Sequence, residues 1–330
     1  MKMNYFPSTP VPVEQLSNSV VLSNSEIQSW HLCERRHFYA HVLKLEPKNY
    51  SAAIQRGFLG HEALAEFYEA MKDGKSKDEC HKVAVAPIDN LLIPLLSDIT
   101  NLDTDKINML SNLKSLVMQY VLKYYDEHKK HFNIIEVETV HIVPTPIAGV
   151  QFGIKLDLLA EYTQPPNTGE LVNIDHKFVK RFKNRDTIKL LPQIPRYQAV
   201  LRSDGFPVNR GTLNQLKHSA TSDIFRKEPV SPTDADLTQI IDETFIVIQR
   251  ILDRTSLPVE EQDIQALRTR SETVCGYCPF RKICTAESDH GSIFSERGQR
   301  NGMAKYFLDE HYRENTYGYT YEEDKADTSD

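Results

Sequence analysis

The sequence predicts an α/β fold: a mixed central sheet of about four to five strands, flanked by helices and preceded by a helical N-terminal subdomain. Two observations predict it. Apolar runs of strand length lie at 133–143, 149–162, 170–179 and 208–216. A helical pattern at 190–201 separates only the last two, which gives the order β-β-β-α-β. The turns between the first three are marked by Pro144 and Pro146, then by the Pro-Pro-Asn-Thr-Gly loop in 163–169.

Taken in order, residues 1–22 are rich in Pro, Ser and Val without periodicity and read as an extended arm. Ser23-Asn24-Ser25-Glu26 is a capping box, opening a helix that runs through Trp30 and Cys33 to about residue 43. A second helix spans 53–71, with His61, Leu64, Phe67 or Tyr68, and Met71 on one face and Gly57 and Gly60 allowing close packing. Residues 88–130 hold apolar runs and a periodic helix over 107–128. Beyond the strands, 234–254 is a long amphipathic helix. These segments group as an arm (1–22), a helical subdomain (23–130), a core (131–220), a helix and cysteine segment (221–298) and an acidic tail (299–330) expected to be mobile.

The chain of 330 residues carries 40% hydrophobic and 26% charged residues, ordinary for a soluble protein. It has no apolar run of about 20 residues, so no membrane partner is expected. Its first residues lack a basic and apolar leader, so the expected setting is the cytoplasm, or a host cytoplasm for a viral protein, with reduced cysteines. The net charge is −7, but it is unevenly spread. From Lys177 to Lys217 ten Lys or Arg face two acids, Asp186 and Asp204. From 301 to 330 eight acids face three bases. A basic zone therefore adjoins the core, and the acidity sits partly in the tail.

The chemistry concentrates at 153–197. Asp157 and Asp175 each interrupt an apolar strand, and Lys177 lies two residues past Asp175, on the same strand face. Two carboxylates and an amine at neighbouring strand ends can hold a hard divalent cation and orient a water beside it. Gln193 and Tyr197, four residues apart, share a helix face. Pro195 leaves open whether that helix starts before or after Gln193.

This ordered set resembles the PD-(D/E)XK nuclease superfamily: Asp157 as first acid, Asp175-His176-Lys177 as the (D/E)-x-K triplet, and Gln193 and Tyr197 as the Q-x3-Y motif of its RecB-like branch. The segment Arg56-Gly57-Phe58-Leu59-Gly60-His61 is similar to the G-x3-H helix of that branch. The resemblance implies a restriction-endonuclease-like core. It also implies Mg2+ or Mn2+ held by His61, Asp157, Asp175 and the backbone carbonyl of His176, with Lys177 at the attacking water and Gln193 and Tyr197 positioning the substrate strand. The plain alternative for His61 is a satisfied core histidine, and for the Gln193–Tyr197 pair a structural role. Glu138 is read equally as a solvent-facing acid or as an added site residue.

Cys275, Cys278 and Cys284 form C-x2-C-x5-C, and a fourth thiolate is needed for a 4Fe–4S cluster. Cys33 is the natural fourth. This trio with a distant N-terminal cysteine looks like the iron–sulfur staple of AddB-type and CRISPR-associated adaptation nucleases. Zinc is the alternative, as it also accepts four thiolates; a buried core role is the alternative for Cys33. Cys80 has no partner by spacing. A staple from 33 to 284 would close a long loop and restrict the unfolded chain.

The expectation is a metal-dependent DNA exonuclease of recombination, repair or replication. The alternatives are a CRISPR spacer-processing nuclease and a non-catalytic iron–sulfur DNA-binding scaffold. No Walker A segment is present, so a helicase or single-strand annealing partner would be a separate protein.

Overall fold

A computed structural model describes residues 19–97, 103–218, 222–290 and 311–314. The chain divides into two compact units, one formed by the chain up to Asn24 with Ser51–Gln249, the other by Ser25–Tyr50 with the chain from Arg250.

The first unit holds both sheets that matter for the site. Strand β1 (Val20–Ser23) takes in the end of the segment read as an extended arm; β2 (Leu45–Pro47) belongs to the second unit. Two of the expected strands are each two. The run at 133–143 is β3 (Phe132–Val137) and β4 (Val140–Pro144). The run at 149–162 is β5 (Val150–Lys155) and β6 (Leu158–Tyr162). Strands β7 (Leu171–Val179), β8 (Val208–Lys217) and β9 (Phe225–Val230) follow.

The central sheet has the order β3-β6-β7-β8-β9, and a smaller one has the order β1-β5-β4. β1 pairs parallel with β5, Val20 opposite Val150, which anchors residues 20–23. β3 pairs antiparallel with β6 in one sheet, and β4 with β5 in the other. The two strands thus change sheet together. The change occurs at Glu138 and at Leu156-Asp157, and the Glu138 N–H donates to the Asp157 carbonyl at 3.1 Å. Glu138 has φ 50°, the left-handed region that lets the chain turn from one sheet into the other.

β7 and β8 are parallel, with Asp175 opposite Leu213 and Lys177 opposite Gln215. Parallel neighbours need a crossover. Here it contains the helices Arg185–Lys189 and Gln193–Ser203. The second begins at Gln193, and Pro195 sits in its first turn, where its missing N–H costs nothing.

The helix Ala52–Lys72 is capped by Ser51, whose hydroxyl accepts from Ile54 N–H. It buries Ala63, Leu64, Phe67, Tyr68 and Met71. Asp103 caps the helix Thr104–His131 through Lys106 N–H at 3.0 Å. That helix buries Leu113, Val117, Tyr120, Tyr124 and His128, a stripe at helical spacing. These two helices and Lys77–Ser97 share one core with Val172 and Ile174 of β7. Cys80 is fully buried within it. Gly60 permits the closest approach, since a Cβ there would overlap the Phe178 ring of β7. Gly57, expected to do the same, faces open space.

In the second unit the helix expected to reach residue 43 breaks at Cys33. Asn24–Leu32 ends there, Cys33 is extended with φ −173°, and Glu34–His37 then runs into a π-helix at Phe38–Val42. Phe38, Tyr39, Leu45, Ala266, Phe280, Ile283 and Tyr312 form its core. The helices Val259–Gln265, Glu272–Gly276 and Arg281–His290 carry the cysteine segment. β10 (Tyr312–Glu314) pairs antiparallel with β2, Tyr312 opposite Pro47, so this part of the expected mobile tail is ordered. The rest of the tail, and the arm before residue 19, lie outside the described residues. The helix Asp234–Thr255 links the two units along the chain. Among the described residues no helix is long and apolar enough to cross a membrane.

Candidate metal centre

The site assembles at the end of the central sheet where β6 starts and β7 finishes. The break between β5 and β6 presents Asp157, and the break between β3 and β4 presents Glu138. His61, from the helix Ala52–Lys72, brings Nδ1 to 3.3 Å from Asp157 Oδ2 and 3.9 Å from Glu138 Oε1. Among the described residues these three form the one group of possible metal ligands whose donor atoms lie within 4.8 Å of one another. Glu138 also pairs with Lys155 at 2.7 Å, a residue that sequence reasoning missed. Lys155 lies two positions before Asp157, but nothing in the sequence marks the joint that brings it to Glu138.

Asp175 stands beside this trio. Its neighbour His176 donates its main-chain N–H to Asp157 Oδ2 at 2.6 Å. Asp175 Oδ1 accepts from Lys177 Nζ and from Gln193 Nε2, both at 2.8 Å. Gln193 Nε2 also donates to the Tyr197 hydroxyl at 3.1 Å. The sequence-predicted residues Asp175, Lys177, Gln193 and Tyr197 are therefore joined in one hydrogen-bonded set, and the main chain at His176 ties it to Asp157, which groups with His61 and Glu138.

The residues fit a divalent cation. A buried carboxylate oxygen without a partner is costly, and Asp175 Oδ2 is such an atom. One imidazole and three carboxylates make a hard donor set with an excess of negative charge. Burial pushes the Asp157 carboxyl up, but the hydrogen bond and charge of His61, with Lys177 beyond, hold it well below the usual carboxylate range. Burial and the neighbouring Asp157 charge raise Asp175, despite Lys177. Burial alone would lower His61 and Lys177. The Asp157 hydrogen bond raises the first, and the charges of Asp175 and Asp157 raise the second. Two adjacent carboxyls are thus pushed in opposite directions, a pattern found where acids share a functional site.

A buried polar column backs the centre. His176 Nδ1 meets Asn214 Nδ2 at 2.9 Å, and Asn214 Nδ2 also donates to the Tyr120 hydroxyl at 2.8 Å. Tyr120 bonds Tyr68, and Tyr68 meets His128 Nδ1 at 3.1 Å. The Tyr68 ring stacks between the rings of His128 and His176. Burial holds His176 down to about 3, so its ring is neutral at pH 7.

The basic run is only partly a surface feature. Arg196 is buried and donates to Thr244 Oγ1 and Asn24 Oδ1. Arg202 pairs with Asp234, and Arg210 with Glu170. These three act within the fold.

In the second unit all four segment cysteines, Cys33, Cys275, Cys278 and Cys284, are half-buried free thiols. Burial pushes the Cys278 thiol up, and the charges of Cys33 and Cys284 act in the same direction; among the described residues no three of these cysteines bring their sulfurs within 4.8 Å of one another. Arg268 Nε donates to Cys284 Sγ at 3.3 Å and Arg268 Nη2 to Glu287 at 2.7 Å. Glu287 also accepts from Arg35 and from the Tyr39 hydroxyl. An arginine donor on a sulfur is a partner suited to a thiolate ligand.

No curated protein matches the chain. Among solved structures, the "Putative exonuclease" from Eubacterium rectale is similar at 12% identity, covering 79% of this chain and 90% of that one, with a TM-score of 0.43. A structure named SSO0001 is similar at 15% identity over 62% of this chain and 85% of that one, with a TM-score of 0.31. The decisive comparison is with families: the model of the PD-(D/E)XK nuclease superfamily matches residues 21–285. With the acid, D-x-K and Q-x3-Y residues gathered at one sheet end, the chain belongs to the PD-(D/E)XK nuclease superfamily and is an enzyme that cleaves DNA.

Proposed function

We propose that the protein is a metal-dependent DNA exonuclease of recombination, repair or replication, with His61, Asp157, Asp175 and the His176 carbonyl as ligands for Mg2+ or Mn2+. The observation that carries this reading is the trio of His61, Glu138 and Asp157, with donor atoms within 4.8 Å of one another, while the buried Asp175 Oδ2 has no partner and the next residue's N–H binds Asp157. The cation supplies Lewis acidity and a water of lowered pKa. Glu138 adds negative charge at the same point. Lys177, kept protonated by Asp175, neutralises negative charge that builds on the non-bridging phosphate oxygens and orients the incoming water. Gln193 fixes Asp175 through Oδ1 and ties Tyr197 to the same set, where both can position the substrate strand.

The second unit is read as a 4Fe–4S module on Cys33, Cys275, Cys278 and Cys284, with a structural role. A separate helicase or single-strand annealing protein would supply DNA ends.

The test is purified protein on end-labelled single- and double-stranded DNA with Mn2+, beside Asp175→Ala. Loss of shortened products in the variant is expected. Equal cleavage by both proteins would sink the assignment of this centre, and label released only as internal fragments would sink the exonuclease reading. Iron and acid-labile sulfide in protein purified without oxygen distinguish the cluster from zinc.

A further inference from the structure

The end of the sheet that carries the metal centre also gathers cations that the sequence holds far apart. Arg56, on the helix Ala52–Lys72, is half-buried and donates from Nη1 to His218 Nε2 at 3.0 Å. Its Nε is buried without a partner, and no described carboxylate pairs with it. Burial lowers both Arg56 and His218, and Lys180 adds to the charge around His218. On the other face, Lys217 Nζ lies 4.6 Å and Arg226 4.4 Å from the centre of the Phe182 ring. Arg226 has a loose contact with Asp223 at 3.6 Å, and Lys217 has no carboxylate partner among the described residues.

Holding two cations on one ring costs repulsion, and half-burying an arginine paired only with a histidine costs desolvation. A polyanion lying across them would offset that cost. Lys217 and His218 are consecutive, so the two groups flank one strand end from opposite faces. The same close approach at Gly60 that brings His61 to Asp157 seats Arg56 one turn earlier, over the strand ends. Five residues of helix separate Arg56 from His61, about 7.5 Å of rise. That is about two nucleotide rises of 3.4 Å.

We propose that Arg56 with His218 on one face of the strand end, and Lys217 with Arg226 on the Phe182 ring on the other, form a phosphodiester subsite across that end, which holds the DNA backbone one or two nucleotides from the phosphate being cut. The subsite rests on the nuclease reading of the metal centre. It is independent of base identity, because its donors are cations and not a base-edge pattern. Arg56 and Lys217 provide its charge, His218 orients the guanidinium, and Phe182 keeps Lys217 and Arg226 side by side.

The test measures binding in EDTA, by fluorescence anisotropy of a labelled oligonucleotide over a salt series. Arg56→Ala and Lys217→Ala are each expected to weaken binding by up to about tenfold and to lower the slope of log K against log salt by about one. Phe182→Leu keeps every charge and is expected to weaken binding with the slope retained. Lys82→Ala, on an exposed helix face, should bind as wild type. Thermal melts of each variant confirm folding, and Arg56→Lys, which keeps the charge, should recover the slope. Wild-type affinity and slope in folded Arg56→Ala and Lys217→Ala would overturn the subsite. Asp175→Ala serves as the separate control: it should bind and not cut. If it cuts, the metal centre reading fails while the binding comparison still decides the subsite.

Discussion

At the scale of single residues, the centre depends on two carboxyls with different tasks. Asp157 is held ionised by His61 and by the His176 N–H, and Asp175 divides its oxygens between Lys177 with Gln193 and an open position. Asp175→Asn keeps the shape and removes the charge. It should lower kcat by more than about 100-fold, read from steady-state cleavage with Mn2+. Glu138→Gln separates two roles. If Glu138 contributes to the cation, the apparent Mn2+ affinity should fall by about 10- to 100-fold. Unchanged affinity would leave it as the partner of Lys155 alone. The basic run teaches a related lesson, because Arg196 is a fold residue despite its place in a charged segment.

At the scale of elements, one glycine governs how the helix Ala52–Lys72 meets β7. A methyl at Gly60 would overlap Phe178, so Gly60→Ala should destabilise the protein by about 1–3 kcal/mol and weaken Mn2+ binding as His61 shifts. Gly57→Ala, one turn earlier and facing open space, should be neutral or stabilising by up to about 1 kcal/mol. Thermal melts of the pair check this, and a lower Tm for Gly57→Ala than for Gly60→Ala would contradict it. Beneath the same helix, Tyr120→Phe removes the hydroxyl that links Tyr68 to Asn214. A loss of about 1–3 kcal/mol is expected, because partners are left buried and unpaired; urea unfolding measures it.

At the scale of the whole molecule, several histidines are held neutral. Burial lowers His176 to about 3 and His41 to about 4, and it lowers His128 and His218 as well. In the unfolded chain these groups return to about 6.5. Between the folded and unfolded values the unfolded state binds more protons, so stability falls as pH drops below about 6.5. The fully buried His176 and His128 each contribute a slope of up to about 1.4 kcal/mol per pH unit. His61 and Asp175, both raised, act in the opposite sense. A Tm that declines from pH 7 to pH 5 is expected from the larger set. A flat or rising Tm would show that the raised pair dominates.

The sequence by itself determined the chemistry and its order. Asp157, Asp175-His176-Lys177 and Gln193 with Tyr197 are read from strand and helix spacing, because periods of two and of 3.6 are local properties of the backbone. It also determined the helices Ala52–Lys72, Thr104–His131 and Asp234–Thr255 from their apolar stripes, but not Lys77–Ser97, where Pro87, Pro94 and a polar first turn hide the pattern. Only the tertiary structure decided that two apparently continuous strands change sheet at Glu138 and Asp157. The alternating pattern runs on through both joints, so no local signal marks them. It alone decided that Glu138 meets His61, that Arg196 turns inward, and that Arg56 joins His218 at the sheet end. Each of those is a contact between residues far apart in the chain, set by how closely a helix can lie on a strand. Periodicity says which face a side chain occupies, and packing alone says what that face meets.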